Sequence, residues 1–432
     1  MVLAVPFASR DATLMGTTGQ LLRRIAAVLV GRSMARVAQF VAFLLLGRML
    51  DPSDFGWYGI LTASIVLAAQ IGSIGLRQAA AVWLGQGKDT PGQVVANLLT
   101  LWPVLSALSV VGVLLVAPPV GAVGLAFVIP VAMLGAMAVI LMQGVLLGLG
   151  RTTAFGLTDS LMPMLLLVAV AGFALTGQAS LGAVLVALAG SYLLAGGVAI
   201  VMGLRWGGLA RPEPSRIVPM VRHGFAFAVN VFLILLSTRI SLFLVEGLAS
   251  AEAAGQFFVG QRLSDVLGEV AMAAGFVLFS DTVRAEDRAA AMRANARIAA
   301  FVLWGFTGLS IVVMLLAAPL VALTFGETYA PAVPVLQITA LAIGPAAATK
   351  LIYPTLTAQG RPLIATPVIL VGIAVNVALS LVLIPGFGLT GAAIALVASQ
   401  VALLAGYGVV LKRRFEIPYR TSLIPSLRGD GP

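Results

Sequence analysis

The ionisable side chains within apolar stretches of this chain that could do chemistry are the cations Arg32, Arg36, Arg77, Arg239, Arg262 and Lys350, and the acids Asp159, Asp265 and Glu269. A charge at the centre of a bilayer costs at least about 2.5 to 3.5 kcal/mol on insertion scales, so each must face a cavity or a partner. Arg32 and Arg36 stand four residues apart and share one helical face. Arg262, Asp265 and Glu269 follow at spacings of three and four, which sets an internal ion pair against ligand binding at Arg262. The acids read either as sites for a coupling ion or proton or as countercharges to the arginines. Covalent and metal chemistry are poorly supplied: the chain has no Cys, and its single His, His223, reads as an interfacial residue beside Arg222.

The elements that position these groups are membrane helices. Of the 432 residues, 60% are hydrophobic and 10% charged, against roughly 25% charged in soluble domains. Apolar segments long enough to cross about 30 Å of hydrocarbon recur along nearly the whole length. They are predicted near 21–48, 54–84, 93–117, 121–149, 155–176, 180–203, 216–245, 253–281, 294–322, 332–358, 364–384 and 389–411. The fold class is therefore all-α and polytopic, with twelve transmembrane helices.

Charge orients them. Of the 26 Lys and Arg, six are assigned to the membrane interior and Arg48 alone to the even side; the other nineteen, in loops or toward the loop ends of spans, share one side. Positive loops stay cytoplasmic, which predicts an inner-membrane-type protein with both termini inside and with Asp51, Asp54, Glu252 and Glu327 facing out. The net charge of +10 is then a topology signal and predicts no nucleic-acid partner. Residues 1–20 read as a cytoplasmic tail, lacking the long apolar core of a signal peptide, and 412–432 as a basic cytoplasmic tail.

The Gly-, Pro- and Arg-rich stretch 204–215 divides the chain into an N-lobe over 21–203 and a C-lobe over 216–411, six helices each and related by a pseudo-two-fold axis along the membrane normal. Two faint echoes support the division. Leu50–Tyr58 resembles Ala249–Phe257 at an offset of 199, and Leu147–Arg151 resembles Thr357–Arg361 at 210. Asp51 and Asp54 suit capping of the second span. Gly56 and Gly255 suit a tight turn into a helix, with Trp57, Tyr58, Phe257 and Phe258 in an interfacial aromatic belt. Gly150-Arg151 and Gly360-Arg361 suit helix C-caps followed by a snorkelling cation. Shifting Arg36 by 199 gives position 235, one turn from Arg239, so both lobes carry Arg on corresponding first helices.

The run Arg48-Met49-Leu50-Asp51-Pro52-Ser53-Asp54-Phe55-Gly56, the following Gly72-Ser73-Ile74-Gly75-Leu76-Arg77 and the stretch Gln143 to Arg151 resemble Wzx-type polysaccharide-export flippases of the multidrug/oligosaccharidyl-lipid/polysaccharide superfamily. The resemblance covers essentially the whole chain. It implies a transporter, not an enzyme, that moves an undecaprenyl-pyrophosphate-linked oligosaccharide to the outer leaflet by alternating access between two lobes. It further implies a cationic inter-lobe cavity in which Arg32, Arg36, Arg77, Arg239, Arg262 and Lys350 bind the pyrophosphate through charge-assisted, paired bonds. Asp159, Asp265 and Glu269 are the coupling-ion candidates; no cofactor is implied beyond a coupling H+ or Na+, and no metal. The membrane potential is an alternative energy source, at about 2.3 kcal/mol per charge per 100 mV. The partners implied are the lipid-linked glycan, membrane lipid, and a glycan polymerase or other export-pathway proteins. Neutral residues such as Asn97, Gln143, Asn230 and Gln261 are candidates for glycan selectivity.

Two alternatives stay open. A cation-coupled multidrug exporter of the same fold would want acids in its cavity, whereas the first lobe offers three intramembrane Arg against Asp159. A membrane-embedded glycosyltransferase or polymerase could use Asp51 and Asp54, but such enzymes need a larger outer loop than this chain supplies.

Overall fold

The computed structural model describes residues 35–116, 127–284, 287–357 and 362–425, and among them every regular element is helical. Arg32, the tail 1–20 and the Gly360-Arg361 pair lie outside the described residues, as does the side chain of Glu269. The helices are α1 (35–49), α2 (Pro52–Gly72), α3 (Leu76–Gly85), α4 (Pro91–Val116), α5 (Val128–Gly148), α6 (Thr152–Thr176), α7 (Leu181–Gly207), α8 (Pro214–Leu248), α9 (Ala251–Arg284), α10 (Arg288–Phe325), α11 (Ala332–Ala340), α12 (Ile343–Thr357), α13 (Thr366–Phe415) and α14 (Tyr419–Leu423). Eight helices among the described residues are long and apolar enough to cross a membrane, and the bent pair α11–α12 makes a ninth span. α10, with 38 residues, extends about 57 Å at 1.5 Å per residue, well beyond the hydrocarbon thickness.

Every expected segment meets a helix, with three departures in continuity. The stretch 54–84 is broken at residues 73–75, where Ile74 (φ 48°) and Gly75 (φ 68°) take left-handed conformations. Gly75 is required there for a second reason: a methyl at its Cα would collide with the Gly224 carbonyl of α8. The β-branched Ile74 pays about 1–2 kcal/mol for the same conformation. The stretch 332–358 bends by 50° between α11 and α12. The segments 364–384 and 389–411 instead join as α13, kinked at Gly388 (φ 55°).

The chain folds as two compact units. One takes residues 35–50 and 57–235, the other 51–56 and 236–425, so far as these are described. In the first, α5 is the centre, packing on α3, α4, α6 and α7. α5 and α7 meet through glycine, with Gly135 lying against the Tyr192 backbone and Gly196 against the Gly135 backbone. In the second, α12 packs on α9, α10 and α13. Such small-residue crossings let backbones approach where no hydrophobic effect drives helices together.

The echoes prove to be structural devices. Asp51 Oδ1 accepts from the Asp54 N–H at 2.9 Å, and Ser250, 199 positions on, caps α9 by accepting from the Ala253 N–H at 3.1 Å. Gly150 (φ 69°) closes α5 with bonds from Gly150 N to Leu147 O and from Arg151 N to Leu146 O, the six-to-one and five-to-two pattern of a Schellman cap. Arg151 then stacks on Trp206 at 3.9 Å. Two expectations are corrected. Gly56 and Gly255 lie inside helices and make no turn; each sits on the other's helix, Gly56 against Ala251 O and Gly255 against Pro52 O, where no side chain fits. Tyr58, Phe257 and Phe258 are buried rather than interfacial, and Phe258 joins Phe55 (5.4 Å) in an aromatic cluster with Phe325 and Tyr329. Two glycines bring the backbones so close that flanking rings are enclosed. Burial, and secondarily Asp51, raises the Tyr329 phenol above its ordinary pKa.

The inter-helix stretch before α8 is fastened to α4. Asn97 Oδ1 accepts from the Glu213 N–H at 2.7 Å, Gln93 donates to Glu213 at 3.2 Å, and Arg216 pairs with both Asp89 and Glu213. Asn97 thus fixes the backbone just ahead of α8.

Candidate functional site

The first unit gathers its charges along one line. Arg77 enters on the second residue of α3, directly after the break, so the left-handed pair Ile74-Gly75 sets its direction. α5 presents Gly144 to the Arg77 backbone, where a Cβ would lie 2.6 Å from Arg77 O. The neighbouring Gln143, 2% exposed, accepts from Arg77 Nη1 at 3.5 Å and donates from Nε2 to Asp159 Oδ1 of α6 at 3.4 Å. A buried amide therefore links a cation and an acid that the sequence places 82 positions apart. An amide can do this because it donates at one end and accepts at the other. Arg36, half-buried on α1, donates to Gln39 at 3.3 Å.

The second unit arranges its charges differently. Asp265 of α9 and Lys350 of α12 line one pocket with a cavity of about 40 Å³, together with Thr238, Gln261, Ser264, Thr339 and Gln400. Gly268, one turn beyond Asp265, makes room for the Lys350 ammonium: a methyl there would collide with Nζ. The floor is polar and buried. Gln261 is 3% exposed and donates from Nε2 to Thr238 O at 2.9 Å, while the Ser264 and Thr339 hydroxyls meet at 2.8 Å. Arg239 on α8 and Arg262 on α9 are half-buried. Among the described residues, no hydrogen bond or ion pair joins Arg262 to Asp265, so the expected competitor pair is not formed there. Arg36 and Arg239, expected at matching positions, belong one to each unit.

Sequence reasoning missed Thr238, Ser264, Thr339 and Gln400. A usable signal existed in α9: the polar residues Gln261, Ser264 and Asp265 and the small Gly268 recur at three, four and seven, one face of an otherwise apolar helix. Glu246 was also missed, because α8 continues to Leu248, past the expected end at 245. Among the described residues, no group of three or more His, Asp or Glu could hold a metal ion.

These observations define an all-α, polytopic integral membrane protein of two lobes carrying buried polar sites. The sequence matches the family described as "Polysaccharide biosynthesis protein" over residues 45–334, and the chain belongs to that family. No curated protein matches the sequence. Among solved structures, the fold is similar to an inward-facing multidrug resistance MATE transporter of the MOP superfamily (15% identity, 90% of this chain and 98% of that one, TM-score 0.71). It is equally similar to the lipid II flippase MurJ in an inward closed conformation (12% identity, 92% and 90%, TM-score 0.71). A MOP-superfamily transporter from Pyrococcus furiosus, described as having a binding pocket of reverse polarity, follows at 16% identity, 92% and 95% coverage and TM-score 0.66. The protein thus belongs to a polysaccharide-biosynthesis family and has the fold seen in MOP-superfamily transporters.

Proposed function

We propose that the protein moves an undecaprenyl-pyrophosphate-linked oligosaccharide from the cytoplasmic to the outer leaflet of the bacterial inner membrane, by alternating access between its lobes. Membership of a polysaccharide-biosynthesis family on a flippase fold carries this reading. The half-buried Arg36, Arg77 and Arg239, with Arg32, are the groups a diphosphate requires, since guanidinium forks bind its oxygens with paired charge-assisted bonds. Arg262 and Lys350 belong to the wider substrate-binding set, Lys350 in the pocket it shares with Asp265. Coupling to H+ or Na+ falls to Asp159 and Glu269, because Asp265 shares its pocket with an ammonium that opposes a second cation. Both termini face the cytoplasm, and the flipped glycan passes to a polymerase or other export-pathway proteins.

Flipping of undecaprenyl-pyrophosphoryl-N-acetylglucosamine by reconstituted Arg36→Ala and Arg239→Ala variants tests the reading. Losing one charge-assisted bond of about 1.5–3 kcal/mol lowers the rate roughly 10- to 100-fold. Unchanged rates at equal protein levels would remove these arginines from the substrate site.

A further inference from the structure

We propose that the pocket between α8, α9, α11, α12 and α13 of the second unit is a saccharide-recognition site, taking one neutral sugar residue of the transported glycan. The inference rests on the flippase reading and adds to it where the glycan is read.

Three groups define the ligand. The Asp265 carboxylate offers acceptor oxygens and the Lys350 ammonium offers donors, and among the described residues no ion pair joins the two. Gln261, 97% removed from exposure, spends its amide N–H on Thr238 O, and its Oε1 has no hydrogen-bond partner. A buried acceptor left unpaired costs about 1–3 kcal/mol, which a donor entering the pocket would recover.

The mixture of signs selects among candidate ligands. A bare cation would satisfy Asp265 and Gln261 and be opposed by Lys350. An anion such as phosphate would satisfy Lys350 and be opposed by Asp265. Sugar hydroxyls each donate and accept, so one ring can give protons to Asp265 and Gln261 Oε1 while accepting from Lys350. Ser264 and Thr339 already bond each other and the α9 and α11 backbones, which fixes the floor instead of leaving it to adapt. The cavity of about 40 Å³ admits the hydroxyl-bearing edge of one ring, not a chain. The apolar face of a pyranose can rest on Ile343 and Leu396 of the same lining.

The test compares two probes on the full-length protein in nanodiscs: undecaprenyl pyrophosphate and undecaprenyl-pyrophosphoryl-N-acetylglucosamine. The wild type is expected to bind the sugar-bearing probe about tenfold more tightly, the equivalent of about one net hydrogen bond. Gln261→Leu, which keeps volume but deletes the buried acceptor, should erase most of that difference and leave the affinity for the sugarless probe within about twofold, a change under about 0.5 kcal/mol. Gln400→Leu, at a half-buried position, repeats the test where folding is less at risk. Equal wild-type affinities for the two probes would overturn the saccharide site while leaving the flippase reading intact. Equal losses for both probes in the two variants would assign the pocket to the headgroup instead. Thermal stabilisation of the wild type by NaCl over choline chloride, lost in Gln261→Leu, would make it a cation site. Binding of neither probe would overturn both readings.

Discussion

The two units handle buried charge in opposite ways. In the first, Arg77 and Asp159 are connected through Gln143, which spends one end of its amide on each. In the second, Asp265 and Lys350 share a pocket without an ion pair between them among the described residues, and the amide beside them, Gln261, keeps one end unused. The completed line orients Arg77 and Asp159, whereas the unused end of Gln261 is held in readiness for a ligand. The second unit can also complete a network where none is needed for binding: buried Asn376 bonds Ser241 and Ser399 and accepts from Ser380. The openness of the Asp265 pocket is therefore local and not a general looseness of that unit.

The comparison is broken most forcefully at Gly144. A side chain there meets the Arg77 backbone, which cannot yield without moving α3 off α5. Gly144→Val is expected to cost about 3 kcal/mol or more, at the upper end of overpacking penalties, seen as loss of monodisperse protein or a large fall in melting temperature. Breaking the amide bridge alone should cost less. Gln143→Leu keeps the volume and leaves both charged partners unlinked, which predicts a loss of about 1–3 kcal/mol in thermal unfolding. If the bridge is real, Asp159→Asn added to Gln143→Leu costs less than the sum of the single changes, and strict additivity would show that the bonds at 3.4 and 3.5 Å carry no energy.

Much of the scaffold was legible because its signals are local. Apolar length placed the helices, Asp51 announced the cap of α2, and Gly150 announced the end of α5. What escaped was adjacency between distant segments. Gly56 and Gly255 read as turn formers because each stands near the expected start of a span; only the crossing of α2 and α9 reveals why neither can carry a side chain. Tyr58, Phe257 and Phe258 read as interfacial because a sequence carries no sign of which rings a neighbouring helix will cover. The cations were found one by one, but their partners lie on other helices: Gln143 is 66 positions from Arg77, and Lys350 is 85 from Asp265. The break at Ile74-Gly75 was similarly hidden, because the hydropathy of 54–84 is continuous across it.

The finest distinction between the units comes from matched glycines. Gly268 and Gly144 both leave room for a cationic residue, but Gly144 faces backbone atoms of Arg77 whereas Gly268 faces the terminal ammonium of Lys350. A long flexible side chain can swing aside where a helix backbone cannot. Gly268→Ala is therefore expected to change stability by less than about 1 kcal/mol, the more so because alanine favours the helix relative to glycine. Its effect should appear in the ligand. Displacing Nζ removes the donor of the pocket, so the preference for the sugar-bearing probe falls severalfold while the melting temperature stays nearly constant. A melting temperature that drops as far as in Gly144→Val would mean that Lys350 is locked into the packing, and the contrast between a finished polar line and one awaiting a ligand would fail at its most sensitive point.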